Sequence, residues 1–256
     1  MKDSRNIIHQ SILYLLYRSS KKLVKRNERI KDSFKGERCF ILFTGTSVND
    51  FDLDYIKGEK VIACGMSVVH RDFQKCNVVA YFDPGSWEPR SLFYLDMVFS
   101  SVYESTKKGC NIFLHCSAYP YRNEIMSYRE KDTYYLSSNG NYLSKSDIRS
   151  DLNKINNIQE GSLSTALAIA NYMGFKEIYM LGQDYLSDPP IYGHFYDGFK
   201  EIGNPLDYKN YRERASWMIE HVNKNGCHVI NVTKDENQKS CVESITFADI
   251  SQELNS

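Results

Sequence analysis

Short apolar runs recur along the chain, each ending in small or turn-forming residues. This pattern predicts an α/β protein. Residues 37–43 (ERCFILF) read as a first buried strand that ends at Thr44-Gly45-Thr46-Ser47. Residues 60–64 predict a second strand, 77–82 a third ending at Asp83-Pro84-Gly85, and 110–115 a fourth. Residues 91–107 carry a helical pattern. Helix returns at 208–223 and strand at 227–232, and a short helix follows near 247–254. Strands alternating with helices point to a Rossmann-like, mostly parallel sheet flanked by helices.

The most informative stretch is 161–184, GSLSTALAIANYMGFKEIYMLGQD. Gly161 and Ser162 open it as a small-residue turn. Ala166, Ala168, Ile169 and Tyr172 follow a helical period, and Gly174 stops the helix. Ile178, Tyr179, Met180 and Leu181 form a buried strand whose exit is Gly182-Gln183-Asp184. In sheets of this kind, ligands gather at the carboxyl ends of strands and at helix N-termini. The segment offers one of each, although an ordinary αβ unit would look the same.

The stretches between these runs are expected to cover the site. Residues 117–160 are polar and tyrosine-rich and read as an insertion. The loop near 185–205 contains Pro189, Pro190 and several aromatic residues, and is long enough to form a lid.

The N-terminus differs from the rest. An apolar run at 7–17 (IIHQSILYLLY) precedes Arg18, Lys21, Lys22, Lys25, Arg26 and Arg29. The run is shorter than the roughly 20 residues that span a bilayer, and its charge follows the apolar part, unlike a secretory signal. Residues 1–35 therefore read as a basic amphipathic helix set before a catalytic domain at 36–256. Through residues 5–30 it could lie on an anionic membrane. Alternatively it packs on its own domain, or on a partner subunit in a homo-oligomer.

Composition narrows the function. With 32 basic and 32 acidic residues the formal net charge is zero, which argues against nucleic-acid binding driven by bulk charge. The seven cysteines show no CxxC step and no Cys/His ligand spacing, so neither a disulfide framework nor a zinc site is expected. The expected location is cytoplasmic, on the inner face of the cytoplasmic membrane if the helix binds lipid.

Several residues could carry chemistry. Gly45 would let a ligand approach the backbone closely, with the Thr44, Thr46 and Ser47 hydroxyls near a phosphate or ribose. The turn is neither a Walker A loop nor GxGxxG. Asp52-x-Asp54 resembles a metal-binding DxD step, but acidic residues at that place also cap short helices. Asp83 sits where a ribose or base contact would come. His194, flanked by Tyr192 and Tyr196 in IYGHFYDG, suits general-base work. His115 is the next candidate. His221 and His228 read as structural, and His9 and His70 as surface residues.

In this order the pieces resemble the bacterial lipooligosaccharide sialyltransferases and a related group described as DUF115-like. The resemblance rests on Phe43-Thr44-Gly45-Thr46-Ser47-Val48 with the acidic stretch after it, and on Gly161-Ser162-Leu163. It rests most on Gly174-Phe175-Lys176-Glu177-Ile178-Tyr179-Met180-Leu181-Gly182-Gln183-Asp184, and it covers 38–232. It implies one Rossmann-like domain with a lid, and a metal-independent, inverting transfer of sialic acid or a related acidic sugar. The donor would be a CMP-sugar, the acceptor a cell-surface glycan, and no cofactor would be needed. By the same resemblance Thr44, Gly45, Thr46, Ser47, Gly65, Asp83, Gly161, Ser162, Gly182 and Asp184 bind the donor. Tyr192 would bind the leaving phosphate and His194 would deprotonate the acceptor hydroxyl, and Tyr185 is a further candidate catalytic residue. Such transfer passes through an oxocarbenium-like state while charge builds on the phosphate, so pre-placed donors help most. The alternatives are a transferase using another nucleotide-sugar, a non-catalytic binding protein, or a pyrophosphokinase of the DUF115-like type. The last would use ATP and Mg²⁺, with Asp83 and Asp184 as ligands.

Overall fold

The apolar runs form strands, and every one of the predicted strands takes its place in a single sheet. The computed structural model describes residues 20–83, 100, 102, 109–124, 128–137, 145–154, 161–198 and 201–255. Its strands are β1 (Arg38–Leu42), β2 (Lys60–Cys64), β3 (Asn77–Phe82), β4 (Asn111–His115), β5 (Thr133–Leu136), β6 (Glu177–Leu181), β7 (Ile191–Tyr192), β8 (Glu201–Ile202), β9 (His228–Thr233) and β10 (Ser244–Thr246). The 8-stranded sheet runs β10-β9-β6-β1-β2-β3-β4-β5, and β7 pairs with β8 apart from it. All neighbours in the large sheet are parallel.

Parallel strands are buried on both faces, which is why they read as unbroken apolar runs. Alternate residues point to opposite layers. Cys39, Ile41, Ile178 and Met180 pack on one face with helices α1 (Ser162–Tyr172) and α2 (Lys209–Lys224). Phe40, Leu42, Tyr179 and Leu181 pack on the other with Val48, Phe51, Leu53 and the helix α3 (Phe247–Asn255). Gly174 ends α1 at φ +88°, a conformation that favours glycine. The links from β1 to β2 and from β2 to β3 are short 3₁₀ turns, not full helices.

The strand order sets the site. From β1 the chain builds outward through β2 to β5, then returns to place β6 on the other side of β1. The order therefore reverses between β1 and β6, and in open α/β sheets ligands bind outside the carboxyl ends at such a point.

Three expectations change. Residues 117–160 are not wholly an insertion, because Thr133–Leu136 forms β5 at the far edge of the sheet. All four β5 residues are buried, so a short tyrosine-rich run can be core here. His70 is not a surface residue. It is 4% exposed, turned inward after the 3₁₀ segment Gly65–Val69 and packed edge-on to Phe195 at 5.2 Å. His228 is exposed and pairs with Glu243 at 2.9 Å. The helix expected at 91–107 lies almost entirely outside the described residues, as do the apolar run at 7–17 and His9. Among the described residues no helix is long and apolar enough to cross a membrane.

The described N-terminal segment is anchored by a buried polar side chain, Asn27, with Arg26 pairing with Glu130 at 3.1 Å beside it. Val24, Asn27 and Ile30 point inward at the three-residue spacing of a 3₁₀ helix, and Lys21, Lys22, Lys25 and Arg29 point outward. The Asn27 amide donates to the carbonyls of Tyr135 (2.8 Å) and Leu152 (2.7 Å) and accepts from the Tyr135 N–H (3.3 Å). Asn27→Ala leaves buried backbone groups without partners and should cost roughly 3 kcal/mol, read as a lower urea midpoint; an unchanged midpoint contradicts the anchor. Burial also lowers the pKa of His115 from the usual 6.5 to about 4. Between those values the unfolded chain takes up a proton that the folded chain refuses. Stability should therefore be full above pH 6.5 and fall as pH drops toward 4. His115→Gln should flatten that slope in a denaturant series against pH.

Candidate functional site

The exits of β1 and β6 are fused. Beyond the strands, the Phe43 N–H donates to the Leu181 carbonyl at 2.9 Å and the Gly45 N–H to the Gly182 carbonyl at 3.0 Å. A side chain at Gly45 has no room, because its Cβ would sit 2.4 Å from the Gly182 oxygen and 2.6 Å from Asp184 Cγ. Gly182 lies at φ +75°, and a Cβ there would come within 2.2 Å of Val48 Cγ2. The backbones approach this closely because both residues are glycine.

Asp184 locks the approach. It is 4% exposed, and its carboxylate accepts from the Ser47 N–H (2.9 Å), from Thr46 Oγ1 (3.0 Å) and from the Ser47 hydroxyl. The carboxylate thereby caps the 3₁₀ turn Thr46–Asp50 at the end of β1. Thr46 and Ser47 thus spend their hydroxyls on Asp184.

A second loop closes over this base. His194 forms an isolated bridge with Gly45, and the Phe195 N–H donates to the Thr44 carbonyl at 3.0 Å. Thr44 Oγ1 and His194 Nδ1 share a hydrogen bond of 3.0 Å. The imidazole stacks on Tyr196 at 5.1 Å between centroids. Asp197 accepts from the His194 N–H at 3.2 Å and steadies the turn.

Between loop and base lies a pocket lined by Phe43, Thr44, Gly45 and Ser162, by Gly182, Gln183, Asp184 and Tyr185, and by Ile191, Gly193, His194 and Tyr211. Its volume of about 130 Å³ is small beside the ~300–1,000 Å³ of most ligand sites, so a nucleotide-sugar would extend past its mouth. Tyr211 was not singled out in the sequence. It reaches the pocket from α2 and accepts from Gln183 Nε2 at 2.5 Å. Burial raises the pKa of both Tyr211 and Tyr185, so both keep their protons at neutral pH and can donate.

Tyr185 also anchors an aromatic cluster. It stacks on Tyr208 at 5.6 Å and meets Tyr192 at 6.1 Å and Tyr211 at 5.5 Å. Arg212 holds this segment, its guanidinium donating to the carbonyls of Tyr185 and Ser187.

The structure brings about half of the expected residues to one pocket and places the others around it. Thr44, Gly45, Ser162, Gly182, Asp184, Tyr185 and His194 line the one pocket. Tyr192 packs on Tyr208 at 4.8 Å beside that wall instead of lining it. Gly161 lines a separate cavity with Asn210, Tyr211 and Arg214. Gly65 and Asp83 lie at the neighbouring ends of β2 and β3, joined by the Tyr81 hydroxyl, which contacts the Gly65 carbonyl (3.1 Å) and Asp83 Oδ2 (3.3 Å). Asp52 caps the 3₁₀ turn Leu53–Ile56, and Asp54 pairs with Lys75 at 2.9 Å. No group of three or more metal-ligating side chains occurs among the described residues.

No protein-family model matches the chain, and no curated protein does. Among solved structures, the chain is similar to the sialyltransferase CST-II in complex with a trisaccharide acceptor and CMP. The identity is 16%, the match covers 76% of this chain and 80% of that chain, and the TM-score is 0.44. It is also similar to CstII from Campylobacter jejuni in complex with a substrate analogue, cytidine-5'-monophosphate. There the identity is 15%, the coverage 80% and 85%, and the TM-score 0.44. These are likenesses of fold alone.

The clasp between the two strand exits is directly testable. Gly45→Ala forces a Cβ against backbone that cannot move aside, and should cost about 2–3 kcal/mol in chemical denaturation. Stability equal to the parent protein would show that the exits are not locked together.

Proposed function

We propose that the protein is an inverting glycosyltransferase that moves an acidic sugar, sialic acid or a relative, from a CMP-linked donor to a cell-surface glycan without a metal ion. The observation that carries this reading is the placement of His194. The loop delivers an imidazole, held through Nδ1 by Thr44, to the pocket at the switch point between β1 and β6. A base, phenolic donors and a helix N-terminus at Ser162 then surround one space.

The chemistry follows from that arrangement. The acceptor hydroxyl gives its proton to His194 Nε2 as its oxygen bonds the anomeric carbon. The bond from that carbon to the phosphate oxygen breaks, and its electron pair stays with CMP. Attack from the face opposite the phosphate inverts the centre. The α1 N-terminus favours an anion, and Tyr185 and Tyr211 can donate to the charge developing on the phosphate. Tyr192 supports that wall through Tyr185 and Tyr208. Gly65 and Asp83, at the adjacent strand ends, form the nucleoside side of the donor site. The exposed Lys21, Lys22, Lys25 and Arg29 fit a peripheral contact with an anionic inner-membrane surface.

A Mg²⁺-dependent pyrophosphokinase would instead ask Asp83 and Asp184 to bind the metal. Asp184 already accepts hydrogen bonds from Thr46 and Ser47, and Asp83 accepts from Tyr81. The two readings separate in a thermal-shift series with CMP, CDP, UDP, GDP and ATP, each with Mg²⁺ or with EDTA. CMP at about 100 times its dissociation constant should stabilise by roughly 2.7 kcal/mol in either condition. A shift seen only with ATP and Mg²⁺, or only with a nucleoside diphosphate, overturns the CMP-sugar assignment. His194→Ala should keep the CMP shift and lower kcat with a CMP-sugar donor by about 10²–10⁴-fold; undiminished turnover removes His194 as the base.

A further inference from the structure

We infer that Thr44 is a positioning residue for His194: its hydroxyl accepts from the Nδ1–H, fixing the one neutral form of the imidazole whose Nε2 lone pair can take the acceptor's proton. The inference rests on the glycosyltransferase reading and assigns Thr44 to the base, whereas the sequence assigns it to the donor.

The geometry pairs Thr44 with one ring nitrogen of His194. Thr44 Oγ1 lies 3.0 Å from His194 Nδ1, so one ring nitrogen is already engaged before any substrate arrives. The two residues are also tied through their backbones, by the Phe195 N–H to the Thr44 carbonyl at 3.0 Å and by the bridge from His194 to Gly45. Tyr196 stacks against the ring face. With Nδ1 and a face occupied, Nε2 is the nitrogen left to meet an acceptor. Which nitrogen of a histidine carries the proton is set by the hydrogen bond the other makes. If Nδ1–H donates to Thr44, Nε2 is unprotonated and basic. If the Thr44 hydroxyl donates to Nδ1 instead, Nε2 carries the proton and the ring cannot act as a base in its neutral form. In the transfer step the acceptor O–H bond breaks, its proton moves to Nε2, and the imidazolium keeps its Nδ1–H bond to Thr44.

The test reads the tautomer directly and does not need turnover. The protein labelled with ¹⁵N-histidine is followed by long-range ¹H–¹⁵N correlation at a pH where the ring is neutral, with His194 assigned by its absence in His194→Gln. The expected result is the Nδ1–H form in the parent protein and in Thr44→Ser. Thr44→Val keeps the shape but lacks the hydroxyl, and it should lose that form in favour of Nε2–H. With a CMP-sugar donor, Thr44→Val should lower kcat at least 10-fold with the KM for the donor little changed, and Thr44→Ser should restore most of it. An Nε2–H signal in the parent protein, or an Nδ1–H signal that persists in Thr44→Val, overturns the inference. So does a Thr44→Val defect confined to the donor's KM, which would return Thr44 to the donor site. Thr44→Ala, which also removes the hydroxyl, serves as the second variant should the valine protein fail to fold, and an Nδ1–H signal that persists there overturns the inference as well. If no CMP-sugar is turned over by the parent protein, the functional reading fails, and the spectrum still reports what Thr44 does to His194.

Discussion

The buried carboxylate of Asp184 is the interaction on which the rest of the site depends. It sits at the exit of β6 and accepts hydrogen bonds from Thr46 and Ser47 at the exit of β1. Such bonds reach across chain segments 137 residues apart in sequence, so they hold the sheet's switch point shut against the pull of chain entropy. The lock works only because Gly45 and Gly182 have no side chains, which lets the two backbones come into hydrogen-bond contact. A carboxylate at this place looks from the sequence like a ligand-binding group. Its hydrogen bonds to Thr46 and Ser47 make it a clasp between the two strand exits as well as part of the pocket lining.

From that clasp the site is assembled in layers. The β1 exit presents Thr44, the start of α1 presents Ser162, and the β6 exit presents Tyr185. The loop after β7 lays His194 and Phe195 across the top. Phe195 packs on the buried His70 and fixes the loop from beneath, and Arg212 fixes the chain after Tyr185. The pocket-lining side chains therefore lie on short segments whose neighbours are held by backbone hydrogen bonds, the condition that the proposed transfer would require of its donors and base.

Much of this was legible in the sequence, for a physical reason. Strands buried on both faces must be apolar throughout, so β1, β2, β3, β4, β6 and β9 declare themselves. Glycines that permit positive φ or close backbone contact, such as Gly174 and Gly182, mark the turns between them. What escaped depends on packing across the fold. β5 reads as a polar, tyrosine-rich stretch because a four-residue strand leaves too short a period to recognise. Tyr211 and Tyr208 join the site only because α2 and the turn before it pack beside the β6 exit. Gly161 and Ser162 are adjacent in sequence, yet the start of α1 turns them toward different cavities. The inward turn of His70 depends on Phe195, 125 positions further along the chain, which no local pattern reports.

The most direct test of the site as a CMP-sugar pocket is a crystal structure of the protein with CMP in the presence of EDTA. The expected density places the phosphate between Ser162 and Tyr185, the nucleoside toward Gly65 and Asp83, and His194 Nε2 facing the open side where an acceptor would enter. Density for the nucleotide away from the ends of β1 and β6, or a phosphate that appears only with a metal bridging it to Asp184, would contradict the assignment.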